Sequence, residues 1–138
     1  MSQQFFTKDN ISLNVLFQIF DNAFMNPTLN EDVSVVLHER FRTTLRLSET
    51  KDRLMVYTLF TGNTETDELE KYKLVNKINA SFYFAKAMID EDDGCVRFDY
   101  DIDLKGDTSA KAIVYNIKSF QKSVEAIVDN GGFDTIFG

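Results

Sequence analysis

"YKLVNKINASFYFAKAMIDEDDGCVRFDYDID", residues 72 to 103, changes its hydrophobic period from about 3.6 to 2 partway along, and that change decides the fold class. At ~100° per residue, Tyr72, Leu74, Val75 and Ile78 cover a broad helical arc, and Asn79 falls inside it beside Tyr72. Beyond Asn79 the alternation is that of strands. Tyr83, Ala85, Ala87 and Ile89 share one face, and after the DEDDG turn Val96, Phe98, Tyr100, Ile102 and Leu104 share another. A loop of even length pairs Ile89 with Val96, Ala87 with Phe98, Ala85 with Tyr100 and Tyr83 with Ile102, and a one-residue slip would scramble the faces. The same register sets Lys86 opposite Asp99 and Met88 opposite Arg97 on the second face, where Phe82 and Phe84 point among Asp101 and Asp103. Asn79 reads as a structural hinge together with Asn76, because asparagine tolerates the left-handed conformation that closes helices and its amide can satisfy buried backbone groups.

Working outward, Leu13, Leu16, Phe17, Phe20 and Phe24 recur at spacings of three and four, which predicts a helix from about Asp9 to Phe24 ended by Met25-Asn26-Pro27. Three strands follow: VSVVLHE, FRTTLRL and RLMVYTLF, the last two split by the turn cluster Ser48 to Asp52. The second helix has Thr64 or Thr66 as its cap, with acidic residues in its first turns and lysines later, as the helix dipole favours. The last helix has Asp107, Thr108 or Ser109 as cap and Asn130-Gly131-Gly132 as its stop. Its residues Ala110, Ile113, Ile117, Phe120, Val124 and Ile127 alternate steps of three and four, an a/d seam that covers either its own sheet or another chain. The order α-β-β-β-α-β-β-α, without βαβ alternation, predicts an antiparallel α+β fold. With 138 residues, one proline and no Ser/Gly-rich linker, residues 1–138 are expected to be a single domain with short flexible ends at about 1–8 and 133–138.

A domain of this size can bury ~70% of the surface its unfolded chain exposes, and a 43% hydrophobic composition with thirteen Phe argues against disorder. No apolar run approaches the ~20 residues of a membrane span. The first ten residues lack a basic segment followed by an apolar one, so no secretory signal is expected, and the lone Cys95 permits no internal disulfide. A reducing cytoplasm is the expected location. A net charge of -7 repels phosphate backbones and anionic lipid, so neither nucleic acid nor membrane is an expected partner.

Individual side chains make no case for catalysis. His38 is the only histidine, which leaves a zinc site of the usual His/Cys type without ligands. Cys95 follows the Gly94 turn with no histidine context for a nucleophile. Asp99, Asp101 and Asp103 begin like a calcium loop, but Leu104 stands where the loop's sharp turn requires glycine and Ala110 where a bidentate Glu is needed. A solvated acidic strand face that discourages aggregation is the simpler reading. No G-x-S-x-G, Walker A, G-x-G-x-x-G or H-E-x-x-H occurs. The expectation is therefore no catalytic residue, no metal and no cofactor.

YKLVNKINASFYFAKAMIDEDDGCVRFDYDI, a helix ending in N-x-x-N, a strand, an acidic turn with Gly and a second alternating strand, resembles the YbjN family of bacterial sensory-transduction regulators, whose fold is like that of the type III secretion chaperones. The match runs from about Leu69 to Leu104, and element order extends it over most of the chain. The resemblance implies a small, dimeric, non-enzymatic protein that acts through other proteins. The expected partner interface is the face bearing Phe82, Phe84 and Met88, or the last-helix seam of Ile113, Ile117, Phe120 and Val124, facing a second copy or an unidentified protein. The alternative is a small-ligand binder or enzyme with a pocket between sheet and helices, using the Tyr57, Tyr83 and Tyr100 hydroxyls or the Asn76 and Asn79 amides.

Overall fold

The computed structural model describes residues 5–138. The elements are β1 (Phe5–Phe6), α1 (Leu13–Asn22), β2 (Pro27–Asn30), β3 (Ser34–His38), β4 (Arg42–Leu47), β5 (Arg53–Phe60), α2 (Glu68–Ser81), β6 (Lys86–Ile89), β7 (Val96–Asp103), β8 (Thr108–Ser109) and α3 (Ala110–Asp129), then a 3-10 helix, Gly131–Ile136. The predicted order is present with three short strands added. β1, β2 and β8 have two to four residues, too few for alternation to register. The strand order is β2-β3-β4-β5-β7-β6, and β1 pairs separately with β8. β1 pairs with β8, β2 with β3, β3 with β4 and β6 with β7, each antiparallel, so the class is α+β as predicted.

The chain forms two compact units, one of Met1–Val56 with Asp101–Lys118, the other of Tyr57–Tyr100 with Ser119–Gly138. In the first, α1 begins later than predicted, at Leu13, because the Ser12 hydroxyl caps it by accepting from the Val15 N–H at 3.1 Å. It also ends earlier. The Phe24 N–H donates to the Asp21 carbonyl and the Met25 N–H to the Phe20 carbonyl, both at 3.0 Å, with Phe24 at φ 59°. This is a Schellman closure, in which the left-handed residue is usually glycine. The turn throws Phe24, predicted on the buried stripe, out to 92% exposure and seats Met25 in the core beside the α1 residues Leu16, Ile19 and Phe20. β2 and β3 then form a hairpin whose turn residues Glu31 and Asp32 both have positive φ. Val35, Leu37, Leu45, Leu54 and Ile102 are buried strand residues of this unit, and Leu104 is buried just past the end of β7.

In the second unit the predicted hairpin register holds over β6 and β7: Lys86 with Asp99, Ala87 with Phe98, Met88 with Arg97 and Ile89 with Val96. The strand is shorter than predicted. Phe84 adopts φ 67°, which breaks the extended run, so Tyr83 and Ala85 precede β6. The α2 arc also differs: Leu74 and Ile78 are buried as expected, but Lys71 is buried where Tyr72 was expected, and Tyr72 turns out to bond Glu68 at 2.9 Å. Asp67, not a threonine, stands at the N-cap, while the Thr66 hydroxyl donates to the Thr135 carbonyl. The predicted loose ends are packed where they are described: Phe5 and Phe6 pair with Ser109 and Thr108, and Phe133 and Ile136 are buried. Residues 1–4 of the predicted N-terminal end lie outside the described residues.

Candidate docking site at the crossover from α2 to β6

Four residues, 82–85, carry the chain from the end of α2 into β6. The helix closes with the Phe82 N–H on the Ile78 carbonyl at 3.0 Å, two residues past the last turn expected from the sequence. Asn79 is therefore an ordinary helical residue, and the left-handed position belongs to Phe84. The helical hinge predicted at Asn76 and Asn79 is corrected accordingly. Asn76 lies exposed in α2 along a shallow cleft of about 530 Å³. The predicted role of the Asn79 amide is present in another form: the Ala87 N–H donates to Asn79 Oδ1 at 2.7 Å, and Asn79 Nδ2 donates to the Ala87 carbonyl at 3.1 Å. β6 is an edge strand, and Ala87 pairs with Phe98 at a position where its own backbone groups face away from β7. The amide thus takes the place of a neighbouring strand.

The crossover displays aromatics. Tyr83 is 84% exposed, its carbonyl held by the Ser123 hydroxyl from α3. Phe84 is 40% exposed and lies 5.7 Å from the Tyr100 ring, which in turn stacks on Phe120 at 6.5 Å. Phe84 was expected on the charged face with Asp101 and Asp103. Its left-handed backbone turns it to the apolar face instead. Phe82 is half-buried, edge-on to Phe133 at 5.9 Å, and Met88 is half-buried opposite Arg97. Of the predicted crossover set, Phe84 presents the most surface to solvent, and Tyr83, which the sequence assigned to the inner face, presents still more.

The α3 seam is core. Ile113, Ile117, Phe120 and Val124 are essentially without exposure, so the partner role expected of them is corrected: an a/d seam whose apolar stripe is already buried in its own chain has no surface to offer a second one. Ser109 is the cap, its hydroxyl accepting from the Ala112 N–H at 3.0 Å.

On the opposite face of β7, Arg97 stacks over the Tyr57 ring at 4.8 Å, with Nε 3.4 Å from the Asp99 carboxylate. Asp101 pairs with Arg53 in the first unit, and Asp103 accepts from the Lys105 N–H at 2.8 Å. The three aspartates are thus engaged separately. Among the described residues no group of three or more His, Cys, Asp or Glu is placed to hold a metal ion. Tyr57, Tyr83 and Tyr100 do not converge: Tyr57 lies under Arg97, Tyr83 projects into solvent, and Tyr100 is packed between aromatic rings. The Cys95 thiol is pushed up from its ordinary value, first by its hydrogen bond to Asp93 and then by desolvation, the reverse of an activated nucleophile. His38 bonds Thr28 Oγ1 at 2.9 Å between β3 and β2. Among the described residues no helix is long and apolar enough to cross a membrane.

The profile of the family YbjN, described as "Putative bacterial sensory transduction regulator", matches residues 12–130. The fold is similar to that of "YbjN, a putative transcription regulator from E. coli", with TM-score 0.78 and 12% identity, covering 93% of this chain and 96% of that one. It is also similar to a chain of the HopA1-SchA chaperone-effector complex, with TM-score 0.60 and 11% identity over 82% of this chain and 89% of that one. At such identities the likeness is one of fold. No curated protein matches the chain.

Proposed function

The chain belongs to the YbjN family, and from that premise we propose that it is a non-enzymatic, protein-binding regulatory or chaperone-like module that acts in the bacterial cytoplasm through a homodimer or partner-protein interface. The observation that carries this reading is the pair Tyr83 and Phe84, two aromatic side chains held in solvent at the crossover. They sit on a frame fixed by the Asn79 clamp and the Ser123 hydroxyl. Exposed aromatics on a positioned backbone are the usual anchors of protein interfaces, since they bury large area with little conformational entropy to lose. Fold likeness to a chain of a chaperone-effector complex supports a protein partner, and the net charge of -7 disfavours nucleic acid and anionic membrane. The chain passes between its two units inside β5, β7 and α3, so neither unit is a contiguous segment, which supports one functional domain.

The test is the double variant Tyr83→Ser, Phe84→Asp, made in the full chain. Light scattering at micromolar concentration and co-purification from the native host with mass spectrometry are read beside its melting curve. A lost dimer, or loss of one specific partner, at an unchanged melting temperature supports the reading. A strict monomer in the parent protein whose recovered partners are the same in the variant overturns it.

A further inference from the structure

We propose that residues 131–138 form a strap, hinged at Gly131 and Gly132, that opens as a unit while the rest of its compact half stays folded, and so uncovers the rings of Phe82 and of the Phe60–Phe98 pair. The strap follows the end of α3 at Asp129 and doubles back across the chain that leaves β5. Three hydrogen bonds hold it: the Asn63 N–H donates to the Ile136 carbonyl at 3.0 Å, the Gly138 N–H to the Thr61 carbonyl at 2.7 Å, and the Thr66 hydroxyl to the Thr135 carbonyl at 2.5 Å. Gly62 and Phe137 form an antiparallel bridge at the same place. Its side chains cover these rings. Phe133 meets Phe82, Phe137 lies 5.3 Å from Phe60 and 6.3 Å from Phe98, and Ile136 has no exposure.

Two features point to opening. Ordering the eight backbones from Gly131 to Gly138 costs about as much as the buried Phe133 and Ile136, the half-buried Phe137 and three hydrogen bonds return, so the closed state is only marginally favoured locally. Neither hinge glycine is demanded by its backbone angle, and Gly131 is not demanded by packing either. Neither has a positive φ, and a Cβ at Gly131 would approach nothing nearer than the Asp134 carboxylate at 3.8 Å. At Gly132 it would press on Asn130 Oδ1 at 3.1 Å, the oxygen that accepts from the Gly132 N–H, so there glycine also serves the closed form. Gly62 and Gly94, by contrast, are required by a close approach and by a φ of +74° respectively. Glycine where the folded form has room for a side chain chiefly adds freedom to the open form.

Native-state hydrogen exchange on the full chain tests the strap. The Asn63 and Gly138 amides are expected to exchange at least tenfold faster than helical amides of α3 such as Val124, with little dependence on denaturant, which marks a local opening. Gly131→Ala should slow both by about threefold by restricting the open chain, leaving Val124 unchanged. Exchange of Asn63 and Gly138 at the rate and denaturant slope of Val124 would show that the strap leaves only on global unfolding, and would overturn the proposal. The result is independent of the protein-binding reading, which concerns Tyr83 and Phe84.

Discussion

Asn79 and Ala87 are joined by two hydrogen bonds in which one side-chain amide serves both the N–H and the carbonyl of an edge-strand residue. The last turns of α2 thereby close the exposed side of β6. An open strand edge is a template for pairing with another chain, and covering it with a helix is one of the standard protections.

Asn79→Ala leaves both Ala87 groups without their partner at a partly buried position. A loss of about 1–2 kcal/mol in urea unfolding is expected, with aggregation above the parent's level on gentle heating. Asn79→Asp keeps the acceptor for the Ala87 N–H and loses the donor to the carbonyl. Hydrogen exchange at Ala87 should therefore stay slow in the aspartate variant and become fast in the alanine one. Equal protection of that amide in all three proteins would refute the clamp.

Phe24 occupies the glycine position of the α1 closure with its ring almost wholly in water. A bulky residue in the left-handed region carries about 1–2 kcal/mol of strain, and Phe24 recovers none of it by burial. Phe24→Gly should stabilise the protein by about 1 kcal/mol, a rise of roughly 3 °C in melting temperature for a chain of this size. Phe24→Ala, which keeps the strain and removes only the ring, should change little. A destabilised glycine variant would mean that the ring makes contacts the structure does not contain.

The contrast between Phe24 and the β6–β7 hairpin shows what was legible in the sequence. The hairpin register followed from alternation together with an even loop length, because each side of a strand repeats every two residues and a one-residue slip would put Ala87 and Phe98 on opposite sides. Phe24 sat in register with the helical stripe, and no periodicity reports that a Schellman turn will begin two residues earlier on a residue other than glycine. Phe84 fails for the same reason: its positive φ rotates it off the charged face, and with it the expected docking face. Asn79 stood out in the sequence as a helical amide among apolar residues, but the group it serves, Ala87, lies in the next strand and needed the tertiary fold to identify it.

Gly62 and Gly94 separate steric from conformational demand. A Cβ at Gly62 would lie 1.8 Å from the Gly94 carbonyl oxygen, a backbone atom that cannot swing aside. Gly62→Ala should cost about 3 kcal/mol or more, enough to unfold a marginal domain. Gly94 has open space around it and only its φ of +74° to satisfy, so Gly94→Ala should cost about 1 kcal/mol and Gly94→Asn less. Chemical denaturation of the three variants gives the ranking, and a Gly62→Ala protein as stable as Gly94→Ala would contradict the close approach.

Cys95 gives the pH dependence its sign. Its thiol is held above the ordinary value chiefly by the hydrogen bond to the Asp93 carboxylate, so the folded state keeps the proton longer than the unfolded one. The linked stabilisation is fully present below the unfolded thiol pKa of about 8.5 and is lost as pH rises through the folded value. Tyr72, raised by its bond to Glu68, contributes in the same direction at higher pH, so the thiol is best followed directly. Iodoacetamide alkylation of the native protein, measured from pH 7 to 10, should reach half-maximal rate above the pH found in urea. Asp93→Asn should move that midpoint down toward the urea value by removing the acceptor charge. Identical midpoints in native and unfolded protein would show that the thiol and carboxylate do not interact in solution.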